Sequence, residues 1–400
     1  MKHIVFVDDE QALLDGLRAR LYKHRSDWDM RFYSSGDEAL AEFERQNIDL
    51  IVSDVRMPGM DGGQLLTLIK ERWPSTVRVI VSGYSDPVQA VRLTSLAHQY
   101  IAKPCDGLQL ENLIERSFNL QDLLRQDALR DLVGRIGKLP AVPSTYGRLQ
   151  AALSSPAVTA AQIGDIVNSD AAIAGKVLQI TNSAFFRLRK PMVRIKDAVT
   201  YLGFATIRNL VLSAEIFSQW NTPFEVLQSD PEQLQTHAQR MAAACRCVAA
   251  SKASLDDAWL AGLLHDIGYW VLVQECPKQL REAVELSLNQ ARPLFECERE
   301  IIGATHAEIG AYLLGLWGLP WPIVEAVAWH HAPESVRSER YDLVGTLAVA
   351  HCLLDASSAS GLGHLVGGRT ANAEYLAALK LPFSWDEAER QVKEYAGSGG

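Results

Sequence analysis

Leu50-Ile-Val-Ser-Asp-Val-Arg-Met-Pro-Gly-Met-Asp-Gly62 carries a short apolar run straight into a carboxylate, Asp54, and then into turn residues. Such a run, ended by turn chemistry, reads as a buried strand with its functional group at the tip. Comparable runs occur at His3–Val7, Met30–Tyr33, Arg78–Ser82 and Tyr100–Ala102, and amphipathic helical patterns at Gln11–Tyr22, Asp37–Gln46 and Gly63–Arg72 separate them. Strand and helix in alternation predict a doubly wound, parallel, five-stranded α/β sheet with right-handed crossovers. Ligands of such sheets bind at the C-terminal strand ends.

Those ends are where the chemistry lies. Asp8 and Asp9 follow the first strand and Asp54 the third, so three carboxylates share one edge. Like charges held together call for a cation, and oxygen-only ligands suit Mg²⁺. Lys103 follows the fifth strand and Ser82 ends the fourth, placing an ammonium and a hydroxyl at the same edge. A carboxylate nucleophile, a metal and a lysine are the parts needed to accept a phosphoryl group. Any one aspartate alone would read as a helix cap or turn residue; their order after successive strands favours the site.

The chain has 400 residues, enough for two or three domains, with 48% apolar and 22% charged residues. A formal net charge of −9 argues against broad nucleic-acid binding. The short basic cluster Arg187, Arg189 and Lys190 reads as a solvated loop. Six cysteines without a Cys-x-x-Cys pair suggest reduced thiols. The most apolar stretch, Val199 to Phe217, is interrupted by Arg208, Asn209 and Glu215, and no leader-like segment opens the sequence, so a cytoplasmic, non-membrane protein is expected.

Residues 107–137 read as helix, with Leu110, Leu113, Ile114, Leu120, Leu124, Leu129, Leu132 and Ile136 spaced by three to four and more. The pattern fits either a connector helix or a homodimeric coiled coil. Leu139-Pro-Ala-Val-Pro143 marks a boundary, and helical patterns fill the rest to about residue 396, before a flexible Gly397-Ser-Gly-Gly400 tail. This part holds His237, His265, His306, His330, His331 and His351, with Asp266 next to His265. Singly, each would read as a packing histidine. Together they form a ligand set for Zn²⁺, Mn²⁺ or Fe²⁺ able to activate water.

Val7-Asp-Asp-Glu10, Ser53-Asp-Val-Arg-Met-Pro-Gly-Met-Asp-Gly62, Ser82-Gly83 and Tyr100-Ile-Ala-Lys-Pro104 together resemble the response-regulator receiver family. The resemblance implies Asp54 as phosphoacceptor, Mg²⁺ on Asp9, Asp54 and the Arg56 carbonyl, and Asp8 supporting the metal through water. It further implies Ser82 and Lys103 on the phosphoryl group, Tyr100 as switch aromatic, and a sensor histidine kinase as partner.

Leu139-Pro-Ala-Val-Pro143, Thr181-Asn-Ser-Ala184, Ala198-Val-Thr-Tyr-Leu-Gly203, Gly262-Leu-Leu-His-Asp-Ile-Gly268, His306-Ala-Glu-Ile-Gly310, Leu316-Trp-Gly-Leu-Pro320 and His330-His331 resemble the HDOD family. HDOD domains are all-α signalling relatives of HD-type metal phosphohydrolases, which implies a downstream signalling protein as partner. The expected organisation is a receiver at 1–120, a connector helix at 107–137 overlapping its last helix, and an all-α HD-like domain at 138–396.

The HD-GYP phosphodiesterases, cousins that cleave cyclic di-GMP, match at His237, His265, Asp266, His306, His330 and His331. Gln233 stands where they have a metal-binding glutamate, Tyr269 where they have a lysine, and His351 where they have an aspartate; no Gly-Tyr-Pro loop follows His331. Arg299 and Lys252 are the candidates to supply the missing charge. The resulting expectation is phosphorylation-controlled regulation by protein–protein contact, without cyclic di-GMP cleavage. The alternatives are a phosphorylation-controlled, HD-type metal-dependent phosphohydrolase, a cyclic-dinucleotide phosphodiesterase among its forms, and a module that binds nucleotides without cleaving them.

Overall fold

The computed structural model describes residues 1–82, 96–103, 107–121, 127–136, 143–155, 158–182, 191–212, 224–227, 230–336, 341–355 and 373–397. Outside these lie residues 139–142, the Arg187/Arg189/Lys190 cluster and residues 398–400, as do the side chains of Ser82 and Tyr100.

Strands β1 (Lys2–Val7), β2 (Trp28–Tyr33), β3 (Leu50–Asp54), β4 (Val77–Ser82) and β5 (Gln99–Ala102) form a parallel sheet in the order β2-β1-β3-β4-β5. Each expected strand is present, its ends moved by at most two residues. The central strands β1, β3 and β4 are buried on both faces, as a parallel sheet requires, while the edge strand β2 is partly exposed. Ile4, Phe6, Val52 and Val79 face one core, while Val5, Val7, Ile51 and Ile80 face the other. Register pairs Val7 with Ser53, Asp54 with Val81 and Ser82 with Ala102, so the tips of β1, β3, β4 and β5 end on one edge. Helices α1 (Gln11–Leu21), α2 (Gly36–Phe43) and α3 (Gly62–Arg72) flank the sheet. Ser35 caps α2, and Asp61 with Gln64 forms a capping box on α3.

The connector region contains α4 (Gly107–Gln121) and α5 (Asp127–Arg135). Its apolar face is covered within the chain. Leu110, Ile114, Leu120, Leu129 and Ile136 are buried in the main core, and Leu113 and Leu132 pack against it; Leu124 lies outside the described residues. Among the described residues these side chains of 107–137 are thus covered by the chain's own core, while Leu108 is exposed. The cause is visible at α5. A Cβ on Gly134 would lie 1.8 Å from the Pro74 carbonyl oxygen, so only glycine permits this approach. The fully buried Arg78 guanidinium donates to the carbonyls of Gly134 (2.6 Å), Leu96 (2.7 Å), Pro74 (3.0 Å) and Thr76 (3.1 Å). Burial lowers its pKa to about 9, which still leaves it charged at neutral pH. Asp131 adds a bond from the Ser75 N–H at 2.9 Å.

After Ala102 every regular element described is helical, apart from single 3-10 turns. The series is α6 (Pro143–Ser154), α7 (Ala160–Val167), α8 (Ala171–Asn182), α9 (Ile195–Leu212), α10 (Pro231–Cys247), α11 (Leu255–Leu264), α12 (Ile267–Glu275), α13 (Pro277–Gln290), α14 (Leu294–Ile301), α15 (His306–Leu316), α16 (Trp321–Trp329), α17 (Leu343–Asp355), α18 (Ala373–Ala378) and α19 (Trp385–Gly397). Among the described residues no helix is long and apolar enough to cross a membrane.

The two halves meet at the C-terminal end of α15. A helix leaves its last carbonyls without internal partners. Here Gln99 of β5 donates its Nε2–H to the Leu316 carbonyl at 2.7 Å, and the Arg116 guanidinium of α4 donates to the Leu319 carbonyl just beyond. Leu120 of α4 lies against Gly315.

Gly134→Ala would force α5 off Pro74. The expected result is a loss of about 1–3 kcal/mol of stability in a denaturant melt, the usual range for overpacking a fitted contact. An unchanged midpoint would show that α5 is not clamped there.

Candidate functional site

Two clusters of titratable groups stand out, one at the sheet edge and one inside the helical domain. At the sheet edge the Lys103 ammonium lies 2.7 Å from Asp8 Oδ2 and 3.0 Å from Asp54 Oδ2. The other oxygens are held by main chain: Asp54 Oδ1 accepts from Val55 N–H at 2.8 Å, and Asp8 Oδ1 from Glu10 N–H at 2.9 Å. Asp9 is exposed beside them, and carboxylate oxygens of Asp8, Asp9 and Asp54 lie within 4.8 Å of one another. Burial raises the Asp54 pKa, against the opposing pull of Lys103. Burial alone would lower that of Lys103, but its hydrogen bonds to Asp8 and Asp54 raise it. One ammonium facing three carboxylates leaves an excess of negative charge suited to a divalent cation. Arg56 sits in the turn after β3 with its side chain exposed. The backbone places Ser82 at the tip of β4 and Tyr100 within β5. A cavity of about 510 Å³ opens beside Asp8, Asp54 and Lys103, room for a small phosphodonor.

The helical cluster is centred on Asp266, between α11 and α12. Its Oδ2 lies 3.1 Å from His265 Nε2 and 3.6 Å from His237 Nε2 of α10. Its Oδ1 lies 3.4 Å from His306 Nε2 and 3.8 Å from His330 Nε2. His331 Nε2 is 3.0 Å from His306 Nε2, and the His351 ring of α17 stacks on His330 at 5.2 Å. All seven residues expected from the sequence therefore converge. Gly268 makes this possible: a Cβ there would lie 1.9 Å from the His306 carbonyl oxygen, so α12 and α15 can meet end to end.

The orientation of the rings is set from outside the cluster. His265 Nδ1 faces the Gly262 carbonyl and His330 Nδ1 the Val327 carbonyl, each at 2.7 Å. A carbonyl can only accept, so Nδ1 donates to it and Nε2 is the atom turned inward. The Nε2 atoms of His237, His265, His330 and His351 and both Asp266 oxygens are buried without a hydrogen-bond partner. Such a concentration of orphaned buried polar atoms is rare in native proteins, and lone pairs converging from several directions fit a metal ion.

Charge follows the same logic. Burial depresses His237 to about 4 and holds His330, His331 and His351 well below the ordinary histidine value, keeping them neutral as ligands must be. His306 goes the other way. Burial opposes its charge, yet Glu298 and Asp266 raise it to about 9, making it a cation between two carboxylates at neutral pH. Burial would also raise Asp266, but His265 and His306 hold it well below its usual range.

Several sequence expectations need correction. Gln233 is exposed on the first turn of α10, so it stands outside the cluster rather than in a ligand position. Lys252 is exposed, and Arg299 pairs with Glu308 at 3.2 Å on the surface, so both basic candidates face elsewhere. Tyr269 is fully buried and stacks on His306 at 4.0 Å, filling its place with a neutral ring. Glu298 was not singled out in the sequence at all, yet its carboxylate binds His306 Nδ1 at 2.8 Å. The available signal was its spacing: it falls one turn after Leu294 and next to Cys297, and all three are buried on the inner face of α14.

Two family models match the chain, the response regulator receiver domain over residues 4–115 and the HDOD domain over residues 139–333. An uncharacterized protein of Treponema pallidum (strain Nichols) is 29% identical over 226 residues, covering 55% of this chain and 43% of that protein. The hydrogenase transcriptional regulatory protein HoxA of Cupriavidus necator is 35% identical over 122 residues, covering 30% of this chain and 25% of its own length. The chain thus spans less than half the length of these relatives. Among solved structures, a virulence factor from Campylobacter jejuni aligns at a TM-score of 0.52 and 18% identity, over 69% of this chain and 98% of that one, a likeness of fold.

Proposed function

The chain is a response regulator that joins a receiver domain to an HDOD domain, and from that premise we propose that a phosphoryl group taken up on Asp54 controls the helical domain through α15. The observation that carries this reading is Lys103 held between Asp8 and Asp54 at the tips of the parallel strands. An Asp54 oxygen attacks the phosphorus of a donor, the P–N bond to a sensor kinase histidine breaks, and the imidazole leaves. Lys103 is placed to exchange a carboxylate partner for a phosphoryl oxygen. Mg²⁺ would be held by Asp9, Asp54 and the Arg56 carbonyl, with Asp8 acting through water. When bound, it neutralises charge on the phosphoryl oxygens.

The route onward is short. β5 carries both Tyr100 and Gln99; Gln99 binds the Leu316 carbonyl at the C-terminal end of α15, and Arg116 the Leu319 carbonyl just beyond. α15 begins at His306, so a shift at its C-terminal end bears directly on the histidine cluster. Two metal ions would find donors in that cluster: His237, His265 and Asp266 would hold the first and Asp266, His306, His330 and His331 the second, with His351 next to both. Imidazole and carboxylate donors suit Zn²⁺, Mn²⁺ or Fe²⁺, and uptake at His306 displaces a proton. The output is control of a downstream signalling protein by contact.

The orphaned ligand atoms favour a second reading, a phosphorylation-controlled metal phosphohydrolase, in which a bound metal would supply an activated water. Tyr269 weighs against it for cyclic di-GMP, because a buried neutral phenol offers no charge to phosphoryl oxygens. Losing one such contact typically costs on the order of a hundredfold in turnover.

Two outcomes are expected. Asp54→Asn abolishes labelling by a small radioactive phosphodonor with Mg²⁺, while full labelling of the variant would remove Asp54 as acceptor. Cyclic di-GMP incubated with Mn²⁺- or Fe²⁺-loaded protein is not turned over at enzyme-like rates; product formation abolished by His265→Ala would establish the second reading instead.

A further inference from the structure

Within the cluster, α14 supplies no ligand, yet it reaches two of them. Phe295 and Glu298 stand one helical turn apart on α14 and so share a face. Glu298 is fully buried. Its carboxylate receives the Nδ1–H of His306 at 2.8 and 3.1 Å and the main-chain N–H of the same residue at 2.8 Å. That N–H opens α15 and has no partner within the helix. One carboxylate therefore fixes both the helix end and the ring mounted on it. With Nδ1 turned outward, Nε2 of His306 faces Asp266 Oδ1 at 3.4 Å and His331 Nε2 at 3.0 Å. Phe295 lies flat against the His331 ring, 4.6 Å between centroids and 8° between planes. Both braced ligands belong to the second metal position. At the first position, His265 is oriented by the Gly262 carbonyl of its own helix, α11, at 2.7 Å.

We propose that Glu298 is a positioning residue for the second metal position, and that α14 thereby decides whether the centre holds one ion or two. The inference rests on the metal reading of the cluster. Its physical basis is that a carboxylate on the far nitrogen of a histidine fixes the ring's tautomer and direction, and losing such a partner typically weakens metal binding by about 10–100-fold. A purely structural Glu298 would instead affect both positions alike, through the fold.

The test uses the full chain, stripped by a chelator and titrated with Co²⁺, with bound metal counted by mass spectrometry and the visible Co²⁺ bands recorded. The parent is expected to hold two equivalents. Glu298→Gln, nearly isosteric, should keep the first with its bands unchanged and bind the second about 10–100-fold more weakly, and Glu298→Asp should restore part of the loss. Equal weakening of both equivalents, or of neither, overturns the proposal. A thermal melt reports whether Glu298→Gln folds; if it does not, Phe295→Leu is read by the same criterion and must weaken the second equivalent alone. Two unchanged equivalents in the variants contradict this inference only. No metal in the parent contradicts the metal reading, and this inference with it.

Discussion

At the C-terminal end of α15 the Leu316 carbonyl takes its hydrogen bond from Gln99, and the Leu319 carbonyl three residues on takes one from Arg116, both side chains of the other half of the molecule. Carbonyls at a helix end must be satisfied by something, and a buried one left bare is costly. Here the partners come from β5, an edge strand of the sheet, and from α4, which follows it. At its other end α15 starts on His306, held by Glu298 and facing Asp266. A helix of 11 residues has a length of roughly 16 Å at 1.5 Å per residue. Because its hydrogen bonds are internal, the proposed coupling treats it as a rod. The proposed coupling therefore needs no long relay, only a change in how β5 and α4 grip one helix end.

Buried charge organises both halves in contrasting ways. Arg78 is a cation in the core with its guanidinium N–H groups bonded to four carbonyls, and it ties α5 to the start of β4. Its donors are satisfied, so it reads as structure. Asp266 is an anion in the core whose oxygens have imidazoles around them but no hydrogen bond of normal geometry. Isolated buried charge is expensive unless compensated. The difference between satisfied and orphaned buried groups is what separates a clamp from a candidate ligand site.

Much of this was legible in the chain itself. Parallel strands announce themselves as apolar runs, and the residues that follow them, Asp8, Asp54 and Lys103, must then share an edge. The histidines could be proposed as a cluster because apolar runs lead into three of them, Gly262-Leu-Leu before His265, Val327-Ala-Trp before His330 and Ala348-Val-Ala before His351. What could not be read were surfaces and second partners. The apolar face of 107–137 was plain, but not that the chain's own core would cover it; Gly134 was the only hint of close approach. Gln233, four residues before His237, shares its helical face by spacing, yet the first turn of α10 carries it to the exposed surface. Glu298 escaped notice because an acidic residue among Glu296 and Glu300 looks like part of a solvated stripe, and only packing shows which of the three is buried.

The most direct measurement of the central claim is hydrogen exchange on the full chain, with and without a phosphodonor and Mg²⁺, resolved by peptide. The account predicts that exchange changes at residues 306–319 together with the β4 and β5 segments, and that Asp54→Asn removes both changes. Altered exchange confined to the receiver sheet, with residues 306–319 unaffected, would contradict coupling through α15.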